Sequence, residues 1–253
     1  MININGSAIV RGHFCLYFCE VIFNFFIVKK KLLILLFLLS FPSVLYVILS
    51  VGKTNFIHLP YFGEKSLAAN GKDTIYHTIA PFKFVNQDGI NVTEKNYEGK
   101  IYVADYFFTT CKSICPKMAN ELQRVQEKFQ YTNGLVQILS HTVNPENDSV
   151  PVLKAYSEMI HADTKMWNFV TGSKKELYDM ARYSYLVNAM PGDGGPDDFI
   201  HSEYFILIDK ERHIRGIYDG TNIKEVNNLL DDIKVLMAEY IIKENKKKKS
   251  EQE

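Results

Sequence analysis

One short segment of the chain combines an apolar strand, two cysteines and the start of a helix. The run IYVADYFF (Ile101–Phe108) is typical of a buried strand, and PKMANELQRVQEKF after it has apolar residues at helical spacing. Cys111 and Cys115 stand between the two, and Pro116 suits the first turn of a helix. The helix N-terminus and the basic Lys112 both favour thiolate over thiol. The segment therefore predicts two reactive sulfurs, which can close a disulfide or bind a soft metal ion.

The N-terminal part of the chain predicts a membrane anchor. Leu32–Val51 contains no charged residue and is long enough to cross a hydrocarbon core of about 30 Å as a helix. Because Lys29–Lys31 precede this run, we expect a cytoplasmic N-terminus and an exported domain after residue 53. A cleaved signal peptide is the alternative, with Ser50-Val51-Gly52 as its cleavage site, but the run is long for a signal core.

This topology predicts a single-pass protein of a plasma (inner) membrane, with its soluble domain facing the periplasm or outside. The lack of an Arg- and Ser-rich presequence favours a bacterial over a mitochondrial membrane. The chain is expected to divide into a cytoplasmic or interfacial segment, a transmembrane anchor, a tether, a folded domain and a solvated charged tail, at residues 1–31, 32–51, 52–75, 76–242 and 243–253.

Composition narrows the function of the exported part. Its only cysteines are Cys111 and Cys115, and an isolated close pair in an oxidising compartment indicates chemistry rather than a disulfide scaffold. The chain has 29 basic and 29 acidic side chains, so its net charge gives no argument for binding nucleic acid. We expect a monomer.

The pattern after the tether is mixed α/β. FKFVNQDGINVT (Phe82–Thr93) predicts a hairpin that turns at Gln87-Asp88-Gly89. Strand-like and helix-like runs then alternate, and SEYFILID with HIRGIY predicts a last hairpin before a helix at Ile223–Tyr240. These elements predict a thioredoxin-like layer sandwich with an N-terminal β-hairpin extension, preceded by one transmembrane helix.

The order of these features resembles the Sco/SenC family. The resemblance covers roughly residues 75–242 and includes FTTCKSICP, TVNPENDSVPVLKAY, WNFVTG and DDFIHSEYFILID. Members are thioredoxin-fold copper proteins that help to assemble the binuclear copper site of cytochrome c oxidase. The resemblance implies that Cys111, Cys115 and His201 are copper ligands. Lys112 replaces a frequent proline and Asn144 a frequent aspartate, and neither change removes a ligand.

The chemistry of the implied ligands agrees with copper. Two thiolates and an imidazole suit Cu(I) and can hold Cu(II), whereas structural zinc sites use four ligands. We expect a membrane-anchored metallochaperone that delivers copper to the copper-site subunit of cytochrome c oxidase, with loading gated by the redox state of the CxxxC pair. The alternative is a thiol–disulfide oxidoreductase that reduces the cysteines of the oxidase copper site. Whether the protein is an enzyme stays open at this point.

Two further residues have alternative interpretations. His141 ends a predicted strand near the expected site and is a substitute for His201 as a ligand. Asp105 lies within the predicted strand before the cysteines. It either relays protons near the thiols or is satisfied by ordinary hydrogen bonds, and the second interpretation is favoured.

Overall fold

The computed structural model describes residues 37–45, 58–68, 70–187 and 202–251. The chain divides into two units, Met1–Asn55 and Phe56–Glu253. In the first unit, residues 37–45 form helix α1, and the rest of the predicted anchor Leu32–Val51 lies outside the described residues. Within these described ranges, no helix has the length and apolar content needed to cross a membrane.

The second unit is built around a mixed β-sheet. Its described strands are β1 (Lys65–Leu67), β2 (Thr74–Tyr76), β3 (Lys83–Asn86), β4 (Asn91–Thr93), β5 (Ile101–Phe107), β6 (Val136–Thr142), β7 (Trp167–Thr171), β8 (Tyr204–Ile208) and β9 (Ile214–Asp219). β1 and β2 form a separate hairpin, and the other seven strands are ordered β4-β3-β7-β6-β5-β8-β9. The predicted hairpin at Phe82–Thr93 is confirmed, since β3 and β4 pair antiparallel across it.

Helices cover both faces of this sheet. They are α2 (Cys115–Phe129), α3 (Val150–Met159), α4 (Lys174–Asp179) and α5 (Ile223–Ser250), with a 3-10 turn at Glu94–Tyr97 and a π-helix at Met180–Ser184. α2, α3 and α5 enclose one hydrophobic core with the sheet, and α4, the 3-10 turn and the π-helix enclose the other. The structure thus agrees with the α/β layers expected from the sequence.

Strand β5 lies at the centre of both cores. It pairs parallel with β6 and antiparallel with β8, and all seven of its residues are buried. Because side chains alternate along a strand, Ile101, Val103 and Phe107 pack towards α2 and α5, while Tyr102, Ala104 and Tyr106 pack into the opposite core. The sequence of a strand that is buried on both faces is a nearly continuous apolar run, and β5 could therefore be predicted from the sequence.

The predicted tether, residues 52–75, is wrong where the structure describes it. Leu59 is buried, and residues 65–76 contain the β1–β2 hairpin. The guanidinium of Arg215 donates to the carbonyls of Leu59 at 2.8 Å and Pro60 at 3.2 Å, and it stacks 4.2 Å from the ring centre of Tyr61. The described residues of the predicted tether, 58–68 and 70–75, are therefore part of the folded domain.

Arg215 also forms two ion pairs inside the protein. It contacts Asp209 at 3.1 Å and Glu239 at 2.9 Å, and the Arg215 side chain is only 3% exposed. Asp209 precedes the β8–β9 turn and Glu239 lies on α5. One guanidinium thus holds together the incoming chain, the last hairpin and the last helix.

The predicted charged tail also differs from the structure. The last helix was expected to end at Tyr240, but α5 continues to Ser250 and includes most of the segment 243–253. Lysine and glutamate are good helix formers, and the lysines of the last turn interact favourably with the negative end of the helix dipole.

We expect Arg215→Met to destabilise the domain by about 3–5 kcal/mol, because it leaves the buried carboxylate of Asp209 and the partly buried carboxylate of Glu239 without this cation. Urea unfolding followed by fluorescence of Trp167, the single tryptophan, measures this loss. Lys234→Met is the control: it removes an exposed ion pair with Asp231 and should cost less than about 1 kcal/mol. Equal effects of the two substitutions would refute a stabilising role for the Arg215 contacts.

Candidate metal centre

The two cysteines lie where β5 passes into α2. β5 ends at Phe107, and the backbone amide of Cys111 donates to the carbonyl of Phe108 at 3.2 Å, which turns the loop. Cys115 is the first residue of α2, and a proline follows it in the first helical turn. The sequence-based placement of both cysteines, after a buried strand and at a helix start, is therefore confirmed.

Hydrogen bonds bring the two cysteines together. The backbone amide of Cys115 donates to the Cys111 sulfur at 3.4 Å, and the Ser113 hydroxyl lies 3.6 Å from the same sulfur. Both cysteines are free thiols; Cys111 is half-buried and Cys115 is buried. The arrangement exposes one sulfur and protects the other.

The two thiols differ in acidity. Burial by itself would raise the pKa of Cys111, but hydrogen bonds from Cys115 and Ser113 outweigh it and lower this pKa to about 7. For Cys115, burial and its hydrogen bond with Cys111 raise the pKa to about 12. As the sequence predicted, the helix N-terminus contributes to the lowered pKa of Cys111, because the backbone amide of Cys115 donates to the Cys111 sulfur. Lys112, which the sequence suggested as a second cause, is exposed and is not among the main causes. Near neutral pH, Cys111 is therefore the reactive thiolate.

A small cavity of about 90 Å³ opens beside the sulfurs. Its lining includes Cys111, Cys115, Ser113, Val143 and Ser202. Ser202 immediately follows the predicted ligand His201, which itself lies outside the described residues. A groove of about 960 Å³ elsewhere, next to α4 and the π-helix, has no cysteine in its lining.

The loop before the cysteines is fixed by Asp148. This fully buried carboxylate accepts hydrogen bonds from the hydroxyls of Thr109 and Thr142 and from the Thr109 backbone amide at 3.3 Å. Sequence reasoning gave Asp148 no role, and it gave none to Ser113. An available signal was the aspartate at the end of the loop NPEND, since a carboxylate just before a helix often satisfies nearby backbone amides.

Asp105 is a satisfied buried carboxyl, which was the favoured interpretation. Ser140 donates to it, and Ser140 in turn accepts from the indole nitrogen of Trp167 at 2.8 Å. Burial raises the pKa of Asp105 to about 7, although the Ser140 hydrogen bond opposes this shift. Its charge is one of the smaller contributions to the raised pKa of Cys115, after burial and the contact with Cys111.

His141 is not a substitute ligand, and that expectation is wrong. Its ring is completely buried, 5.0 Å from the ring of Tyr106 and 5.6 Å from that of Phe84, in the core away from α2. Burial lowers the pKa of His141 to about 3, so the ring is neutral. The cause is strand parity: Ser140 points towards the core that contains Cys115, and the next residue must point the other way.

Comparison with known proteins identifies the family to which this chain belongs. The fold is thioredoxin-like, and the site is a cysteine pair at the junction of a central strand and a helix. The family model described as SCO1/SenC matches residues 71–238, and the chain belongs to this family. The SCO1 protein homolog of Bacillus subtilis (strain 168) is 32% identical over 164 residues, which is 64% of this chain and 84% of that protein.

Solved structures agree with the family assignment. BsSco, a member of the Sco family of cytochrome c oxidase assembly proteins in which a disulfide switch was identified, is 31% identical with a TM-score of 0.55. The match covers 65% of this chain and 96% of that one. ScoI of Arabidopsis thaliana with copper bound is 29% identical with a TM-score of 0.52, covering 64% and 99% of the two chains.

The two thiols should differ strongly in alkylation. In the reduced native protein we expect iodoacetamide to modify Cys111 first, with a rate that rises through a midpoint near pH 7, and to spare Cys115. Ser113→Ala removes one hydrogen bond to the Cys111 sulfur and should move the midpoint to higher pH. Ser66→Ala, at an exposed serine on β1, should not move it. Mass spectrometry of the labelled peptides measures both, and faster labelling of Cys115 would contradict this account.

Proposed function

We propose that this protein is a copper metallochaperone that binds copper through Cys111, Cys115 and His201. The observation that carries the proposal is the pair of sulfurs beside one small cavity, with the Cys111 pKa lowered to about 7. A thiolate available at neutral pH is the ligand that soft copper prefers. Copper binding would also displace the proton of Cys115, so that loading releases protons.

The chain itself supports His201 as the third ligand. Ser202, the residue that follows His201 in the sequence, lines the same cavity as both cysteines, and this supports the choice of His201. The other histidine considered, His141, is excluded by its burial in the opposite core. An imidazole added to two thiolates gives three ligands and leaves the metal open to attack by a receiving protein.

Loading is proposed to depend on the redox state of the pair. Closing a Cys111–Cys115 disulfide removes two electrons and two protons, which a partner disulfide or another oxidant accepts, and leaves no thiolate for copper. Four-residue spacing at a helix start permits both states with a local change of the loop. The disulfide switch named for BsSco, a relative with 31% identity, supports this part of the proposal.

The receiving partner is proposed to be the copper-site subunit of cytochrome c oxidase. The relative BsSco belongs to a family of cytochrome c oxidase assembly proteins, and ScoI of Arabidopsis thaliana is a copper-bound member of the same fold. The uncharged run Leu32–Val51 would hold the chain in the plasma (inner) membrane, with the domain on the periplasmic side. In this proposal the thioredoxin-like domain, with its N-terminal hairpin, acts as a monomer.

The second candidate function is a thiol–disulfide oxidoreductase that acts on the oxidase cysteines. The unequal thiols favour it: Cys111 is accessible with a pKa near 7, and Cys115 is buried with a pKa near 12. In such an exchange the Cys111 thiolate attacks a partner disulfide and expels one partner thiolate. Cys115 then loses its proton and attacks the mixed disulfide, which releases the second partner thiol and leaves the Cys111–Cys115 disulfide. Chaperone and reductase can coexist, because copper enters only a reduced target.

His201→Ala separates the two functions. Histidine donates an electron pair to the metal but takes no part in sulfur exchange, so the variant should hold Cu(I) at least about 10-fold to 100-fold more weakly while its disulfide still forms and reduces normally. In cells at low copper we expect loss of oxidase activity, restored by added copper. Competition with a Cu(I) chelator and an oxidase assay measure the two effects.

His161→Asn is the matched control. His161 is exposed and has a φ of 54°, a conformation that asparagine tolerates, so copper retention should be unchanged. Normal oxidase activity at low copper in the His201→Ala strain would contradict the chaperone and favour the reductase. Full copper uptake by disulfide-bonded protein would show that the cysteines are not ligands.

A further inference from the structure

The last turns of α5 are fixed at one end of the domain. Glu211, in the β8–β9 turn, accepts from the Tyr240 hydroxyl and pairs with Lys243 at 2.7 Å. Lys210 of the same turn lies 3.7 Å from Glu244. We call this region, formed by residues 58–61, 209–213 and 239–250, the basic end.

The basic end lies opposite the cysteines. β8 runs antiparallel to β5, with Ile208 beside Tyr102, so the turn after β8 lies beyond the amino end of β5. Cys111 follows the carboxyl end of the same strand. The seven residues of β5 span about 20 Å at roughly 3.3 Å each, which separates the two sites.

Positive charge is concentrated at the basic end. The basic end contains seven lysines and arginines against four carboxylates, in a chain whose net charge is zero. Lys246, Lys248 and Lys249 are exposed and have no carboxylate partner among the described residues, and Lys247 lies 3.9 Å from Glu251. Because α5 is continuous to Ser250, these charges are held on a helix rather than on a loose tail.

The sequence indicates what lies next to this end. His58, at the basic end, is seven positions after Val51, the last residue of the uncharged run. Seven residues reach at most about 25 Å when fully extended. If the run is held in a bilayer, as in the proposed function on which this inference rests, the chain length keeps His58 within about 25 Å of the end of that run.

We propose that the basic end is a binding surface for anionic phospholipid headgroups. The chemistry is the general attraction of clustered lysines to a negatively charged bilayer, which weakens as salt screens it. Bound in this way, the domain would direct its cysteine cavity away from the bilayer. The chain is then held at two points, the anchor and the end of α5, which limits the orientations in which the cavity meets a partner.

Vesicle binding by the fragment 56–253 tests the proposal without the anchor. This fragment is one of the two units of the chain and contains the complete sheet and both cores. We expect it to co-sediment with vesicles of equal phosphatidylcholine and phosphatidylglycerol at low salt, and not with phosphatidylcholine alone. The triple variant Lys246→Gln, Lys248→Gln, Lys249→Gln should bind roughly 100-fold more weakly, at about fivefold per lysine.

A second triple variant is the matched control, because it removes the same number of positive charges from another part of the domain. Lys117→Gln, Lys175→Gln, Lys224→Gln removes three exposed lysines from helix starts at the cysteine end, and it should bind anionic vesicles like the parent. Cys111→Ser should also bind normally, which separates this surface from the proposed copper function. Equal weakening by both triple variants would overturn the proposal, as would equal binding to neutral vesicles. Binding to polyglutamate but not to anionic vesicles would assign the surface to an acidic protein instead.

Discussion

The hydrogen bond from the Cys115 amide to the Cys111 sulfur depends on a strand that is buried on both faces. β5 has cores on both sides and strands on both edges, so its carboxyl end is fixed relative to α2. The loop between them is short and is held by Asp148 through Thr109. The first helical amide thus points at a sulfur rather than at water. The Cys115 thiol, this amide and Ser113 together lower the pKa of Cys111 against the effect of burial.

In the proposed function, the unequal acidity of the two thiols lets one site serve both copper binding and disulfide exchange. The proposed copper site uses both sulfurs as thiolates, and a Cys111–Cys115 disulfide would leave neither of them available. Because its pKa is raised, Cys115 would keep its proton until the proposed metal binds, or until the thiolate expelled from a partner disulfide accepts that proton. A disulfide that closes so short a loop adds little to the stability of the fold, so the proposed change of redox state would not require the domain to unfold.

The sequence predicted the parts that depend on local patterns. The apolar run of β5, the cysteines and Pro116 identify a strand, a turn and a helix start within twenty residues. The error at His141 arose from strand parity, because a shift of one residue moves a side chain to the other core. The tether was mispredicted because Arg215, which holds Leu59 and Pro60, is more than 150 residues away. A contact between residues so far apart leaves no pattern in the sequence near residues 58–61. The segment after Tyr240 was predicted to be a solvated tail because it is highly charged, although its lysines and glutamates also favour a helix. His201 came from family resemblance alone and stays a prediction.

The ligand set of bound copper is the central claim, and X-ray absorption spectroscopy of the reduced protein loaded with one equivalent of Cu(I) tests it most directly. The account predicts two sulfur ligands and one imidazole nitrogen, with the nitrogen signal absent in His201→Ala. A site with only nitrogen and oxygen ligands, or with one sulfur, would contradict binding by the Cys111 and Cys115 pair.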